Sequence, residues 1–204
     1  MKTLPTIILV LLAACTAAHA QVLTTAETLG TGKAGVLVSD NRIFVDGVRL
    51  HLVVGQYVRG LSDRFDLYLV AGTTRTDDES GTRVLTQTWL GAGGNLSAGQ
   101  WKGFRASVFG VVSAPVNRRD QACVILANPA LVVSRTVVKD RLAIYSGVNA
   151  LVPLGHRDRG WFTPPDTKVN VPAGALIMLG KWGDFAEADI GHLSALGFGL
   201  SRGL

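Results

Sequence analysis

The chain has 204 residues, a formal net charge of +5 and a hydrophobic content of 48%. So small a basic excess, not gathered into runs with interleaved aromatics, leaves nucleic-acid binding without support. With only Cys15 and Cys123, a disulfide framework and a multi-cysteine metal site are both excluded, and the length allows one domain.

Met1 to Ala20 reads as a secretory signal peptide. Lys2 is a minimal positive region, Ile7 to Ala14 an apolar core, and Ala18-His19-Ala20 a small-x-small cleavage site before Gln21. Cleavage there takes Lys2 and no acid, so 19 basic and 15 acidic residues remain. Leu12-Ala13-Ala14-Cys15 is an alternative processing site, since it resembles the lipobox at which a lipoprotein cysteine is acylated. Residues 21–47 form a lead-in that holds a possible first strand or hairpin. Within it, Asp40-Asn41 is a turn signal, and Asp46-Gly47 is the dipeptide favoured in two-residue hairpins because both positions tolerate positive φ.

From Val48 to the end the chain reads as strand, turn, strand. The runs are Val48–Gly60, Phe65–Arg75, Arg83–Gly94, Lys102–Ala114, Ala122–Arg135, Arg141–Leu154, Val169–Lys181 and Ala186–Ser201. Several alternate with period 2, as strands with two unlike faces do. In the first, Val48, Leu50, Leu52, Val54, Gln56 and Val58 oppose Arg49, His51, Val53, Tyr57 and Arg59. In the sixth, Leu142, Ile144, Val148, Ala150, Val152 and Leu154 oppose Tyr145, Gly147 and Asn149. No run carries a sustained helical period. A soluble sandwich or barrel would bury the apolar faces in a core; a transmembrane barrel would turn them to lipid. Runs longer than the usual five or six residues favour the membrane form. So do Trp101, Trp161, Trp182 and Phe185, which stand at strand ends or in connections where an aromatic belt would sit. The expected fold is all-β, an antiparallel up-and-down transmembrane β-barrel of about eight to ten strands over residues 48–204. The even face of the first run is expected to meet lipid. If the short connections lie on one side, a further strand must precede Val48, which makes nine; to keep the count even, either a run is split, with Asn128-Pro129 one place for the break, or the N-terminal piece is not in the barrel.

Tyr57-Val58-Arg59-Gly60-Leu61-Ser62-Asp63-Arg64-Phe65-Asp66-Leu67 resembles a strand–turn–strand segment, Tyr-x-x-Gly followed by a hydrophobic residue and Ser/Thr-Asp-Arg, found in many bacterial outer-membrane β-barrel proteins. The resemblance implies a porin-like barrel in the cell outer membrane, with membrane lipid and the assembly machinery as partners, and it brings no catalytic residue. Such barrels usually finish on an aromatic residue, whereas this chain ends Ser201-Arg202-Gly203-Leu204.

Residues able to carry chemistry are few. His192 and Ser194, two apart on one run, would share a face, and a histidine can act as general base to a hydroxyl; outer-membrane lipid A deacylases use such a pair with a later Glu, which is missing here. A pair of tolerated polar residues on a strand is the favoured reading. The longest connection holds His156, Arg157, Asp158, Arg159 and Trp161, a set that falls short of metal ligands and reads as an ordered surface loop or a binding loop. Arg49, His51, Arg59 and Arg105 fall on polar faces. They would line an anion-favouring lumen, or pair with Asp66, Glu187 and Asp189 inside a filled barrel. Gly91-Ala92-Gly93-Gly94 lacks the helix a phosphate loop needs and reads as strand glycine. No cofactor or metal motif is present, so the expected role is structural, ligand-binding or that of a narrow pore. An enzyme acting on envelope lipid, or a soluble or lipid-anchored periplasmic domain, is the alternative.

Overall fold

The computed structural model describes residues 25–45, 48–77, 84–116, 123–157, 167–191 and 194–204. Residues 1–24, with the stretch expected to be a signal peptide, and Asp46-Gly47 lie outside them. Ten strands run in chain order: β1 Ala34–Val45, β2 Val48–Ser62, β3 Phe65–Asp77, β4 Val84–Trp101, β5 Phe104–Pro115, β6 Cys123–Val138, β7 Leu142–Arg157, β8 Lys168–Leu179, β9 Trp182–Gly191 and β10 Ser194–Gly203. Each pairs antiparallel with its neighbour in sequence, and β10 returns to β1 with Gly35 opposite Gly203 and Phe44 opposite Ser194. The sheet is a closed up-and-down barrel, so no strand edge is left unpaired.

Two expectations about strand count change. The extra strand before Val48 is β1, which runs straight through Asp40-Asn41, so the barrel begins at Ala34. The split run is the last one, which divides into β9 and β10. Asn128-Pro129 is not a break: β6 continues through it, although pairing with β7 jumps from Ala127–Val152 to Ala130–Asn149. Proline has no N–H to give a neighbouring strand, which accounts for the lapse. Gly91-Ala92-Gly93-Gly94 is indeed strand, paired with Val70 to Leu67.

The two faces of the wall differ in kind. Leu69, Leu90, Val108, Val112, Leu131, Val148, Val171 and Ile177 are exposed on the outside. Inside are Ser39, Asn41, Gln56, Asp66, Asn95, Ser107, Ser134, Asn149, Asn170, Glu187 and Asp189, all buried, among Tyr68, Phe109, Val111, Val132 and Tyr145. Tyr68 and Phe109 meet edge to face at 5.1 Å across the interior. Polar groups within and apolar groups without invert the usual arrangement of a soluble protein, as a barrel facing lipid requires.

Outward Trp101 and Trp182 stand at the turn-connected end, with Lys102 over the first ring and Arg202 over the second, each at 4.9 Å. They fit the expected belt. Phe185 does not: it is 5% exposed and points inward, over Gly199. Trp161 lies outside the described residues. The register expected for β2 is also reversed. Leu52, Val54, Gln56 and Val58 face the interior, while Val53, Tyr57 and Arg59 are exposed. Both faces of this strand are apolar in the middle, so the alternation marks the charged ends of the outer face instead of a polar lumen.

Candidate functional site

Of the four cationic residues expected to line the lumen, the three with described side chains, His51, Arg59 and Arg105, separate. His51 is exposed on the outer face and its Nε2 meets Asp40 of β1; Arg59 is exposed outside as well. Neither lines the interior, because β2 turns its odd positions outward. Arg105 alone has the inward phase, shared with Ser107, Phe109 and Val111, and sits at the rim. Its Nη1 is 3.2 Å from Glu27 Oε1, so it pairs with the lead-in and not with Glu187 or Asp189. Arg49 belongs to β2, but its side chain is outside what is described. β9 ends at Gly191 and β10 begins at Ser194; His192, the other member of the expected pair, lies outside the described residues. His156 and Arg157 end β7, without described side chains, and Asp158, Arg159 and Trp161 fall outside.

What sequence reasoning missed is the segment before β1. Residues 25–33 cross the turn-connected mouth of the barrel as a strap. Ala26 is fully buried and its N–H donates to Ser134 Oγ of β6 at 3.1 Å. Glu27 accepts from Thr136 Oγ1 at 3.1 Å besides meeting Arg105. Leu29 N–H donates to both carboxylate oxygens of Asp66, at 3.0 and 3.2 Å. Thr31 gives its N–H and its hydroxyl to Asp63 Oδ1, at 3.2 and 3.0 Å. These donations hold the Asp63 carboxyl below its ordinary value, the backbone N–H contributing most. Gly60 N–H donates to Lys33 carbonyl at 2.9 Å, and Gly32 N–H to Gly60 carbonyl at 3.0 Å.

Three residues of the Tyr57–Leu67 segment therefore hold the strap. Asp63 and Asp66 accept from it, and Gly60 makes room, since a Cβ there would lie 2.0 Å from the Gly30 carbonyl oxygen. Behind the strap is a cavity of about 150 Å³ lined by Leu29, Val58, Tyr68, Tyr145, Leu176 and Phe185 among others. A second cavity, of about 130 Å³, lies towards the other end.

A closed up-and-down barrel with an apolar outer face and a mixed polar interior is the transmembrane class of β-barrel, the class that the Tyr57–Leu67 segment resembles. No protein-family model matches the chain, and no curated protein does. Similar solved structures include a barrel from the de novo design of transmembrane β-barrels (16% identity, 87% of this chain, 99% of that chain, TM-score 0.43). An outer membrane channel from Pseudomonas putida F1 gives 13% identity, 88% and 98% coverage and a TM-score of 0.49. The translocator domain of the autotransporter NalP from Neisseria meningitidis gives 12%, 85%, 88% and 0.42. Nothing of their activities is carried over to this chain.

Proposed function

We propose that this protein is a small outer-membrane β-barrel with a filled lumen, structural or ligand-holding, and not an open pore. The observation that carries this reading is the strap: residues 25–33 span the mouth from Asp63 and Asp66 to Arg105 and Ser134. Behind it the side chains of Tyr68, Phe109, Val132 and Tyr145 fill the cross-section, as the interior of so narrow a barrel allows. The outer membrane is its location on this reading, because a closed barrel with lipid-facing strands behind an export signal has that destination.

Planar-bilayer recording on the full-length protein tests the filled lumen. The expected result is no sustained current at moderate voltage. A steady ohmic conductance, reproducible and proportional to salt, would show an open pore and end this reading.

A further inference from the structure

The cavity of about 130 Å³ lies in the half of the barrel nearer the connections β3–β4 and β5–β6, between strands β2 to β7. Its wall is mainly Leu52, Val54, Val70, Val111, Leu126 and Leu151. Trp89 stands beside them, fixed in two ways. Its Nε1–H donates to Thr74 Oγ1 at 3.1 Å, and its ring lies against Gly72, where a Cβ would come within 2.4 Å of Cζ2. Three amides, Gln56, Gln87 and Asn128, and the hydroxyls of Thr74 and Ser113 interrupt this apolar lining. Gln56 is 4% exposed, and neither its Nε2 nor its Oε1 has a hydrogen-bond partner among the described residues. Asn128 Oδ1 is likewise buried and unpartnered there, and both residues line the cavity.

A buried amide left without partners is unfavourable, whereas a leucine in its place would cost nothing of the kind. Water satisfies an amide but gains nothing from the aliphatic part of the wall, and an apolar surface enclosing about this volume can hold a benzene ring. A molecule with both an apolar body and a hydrogen-bonding group answers both parts of the lining. We propose that this cavity is a binding site for a small, mostly apolar molecule, of the size of a substituted benzene, bearing a hydrogen-bond donor and acceptor that engage Gln56 and Asn128. The proposal rests on the filled-lumen reading, since channel water would wet the same wall in an open pore.

Phenol and toluene are suitable probes, being alike in ring and size and different in the hydroxyl. The test uses full-length protein folded in micelles and labelled with ¹⁵N at glutamine. Phenol is expected to shift the Gln56 side-chain amide signals saturably, and to bind about tenfold more tightly than toluene, the difference one hydrogen bond makes. In Gln56→Leu that preference should vanish or reverse; removing an unpaired amide leaves this variant able to fold. Val111→Phe, which fills the chamber, should abolish binding of both probes, and if it does not fold, Gln56→Leu alone decides. Absence of a saturable phenol response overturns the proposal, including the case in which the Gln56 amide exchanges with water only. So does a preference for phenol that survives in Gln56→Leu, which would mean that the hydroxyl is held by another group. Conductance of the same preparation separates the two failures. A closed barrel indifferent to phenol removes only the ligand, whereas a conducting one removes the filled lumen itself.

Discussion

At the residue scale the strap depends on one glycine and two carboxylates. Gly60→Ala sets a methyl group against the Gly30 carbonyl, a contact with backbone that no rotamer change relieves. Either the strap lifts or the β2–β3 turn shifts, and overpacking of this kind costs about 1 to 3 kcal/mol. The expected outcome is a lower midpoint in urea unfolding from lipid vesicles, with Gly32→Ala, whose Cβ meets nothing within 4 Å, as the contrast for a steric effect. Gly32 has a φ of 78°, so that contrast carries its own backbone strain and isolates the clash only if it loses less than Gly60→Ala. Asp63 gives the strap a pH dependence. Its carboxyl is held below the ordinary 3.8 by Thr31, so the ionised form is the one the strap stabilises. That contribution is complete above about pH 4 and is lost as pH falls through the depressed value. Protection of the Thr31 amide, its exchange rate relative to the intrinsic rate at the same pH, should be full at neutral pH and fall only below about pH 4; unchanged protection down to about pH 2 would show that Asp63 does not hold the strap. Nothing in the residues 25–33 taken alone announces a strap. They read as a polar lead-in because their partners lie some 30 to 110 positions away, at Asp63, Asp66, Arg105 and Ser134.

At the element scale, alternation shows that a run is a strand more reliably than it shows which face meets lipid. In β7 the apolar set is the outer one: Ile144 and Val148 are exposed, while Tyr145 and Asn149 are buried. In β2 the same pattern points inward. A lumen filled by side chains selects apolar residues almost as strongly as lipid does, so the more apolar face has no fixed direction. Val132 and Val133 of β6, which line neither cavity, test the assignment. Val132 is 1% exposed and Val133 is 38% exposed, one residue along. Val132→Phe should cost about 1 to 3 kcal/mol in a close-packed interior, whereas Val133→Phe should be nearly neutral against lipid. Leu131→Arg, also outward, should cost roughly 2 to 4 kcal/mol if it lies near the bilayer midplane. Folding titrations in vesicles measure all three, and equal losses for the two phenylalanine variants would mean that both faces are packed against protein. The hidden hairpin between β9 and β10 has a related cause. Asp189 lies opposite Ala195, an even spacing, so odd positions face inward on both sides and the alternation runs unbroken across the turn. Between β1 and β2, Val45 lies opposite Val48, an odd spacing that reverses the phase.

At the scale of the whole molecule, closure through β1 and β10 and the apolar outer face predict how the protein behaves in bulk. It should fractionate with outer membranes, resist extraction by carbonate or high salt, and migrate faster on gels when unheated, as closed barrels do. Recovery in a salt-soluble fraction would contradict a lipid-facing wall. The sequence by itself determined the class of this protein. Period-2 runs too long for ordinary strands, turns between them and the Tyr57–Leu67 segment are local features, and local features are what a strand needs in order to be recognised. Only the tertiary structure decided the strand count of ten, the direction each face takes, the separation of His51 and Arg59 from Arg105, and the strap across the mouth. Each of those depends on which distant residue lies opposite: β10 against β1, Asp63 and Asp66 against Thr31 and Leu29, Glu27 against Arg105. The chain meets those partners only when the sheet closes.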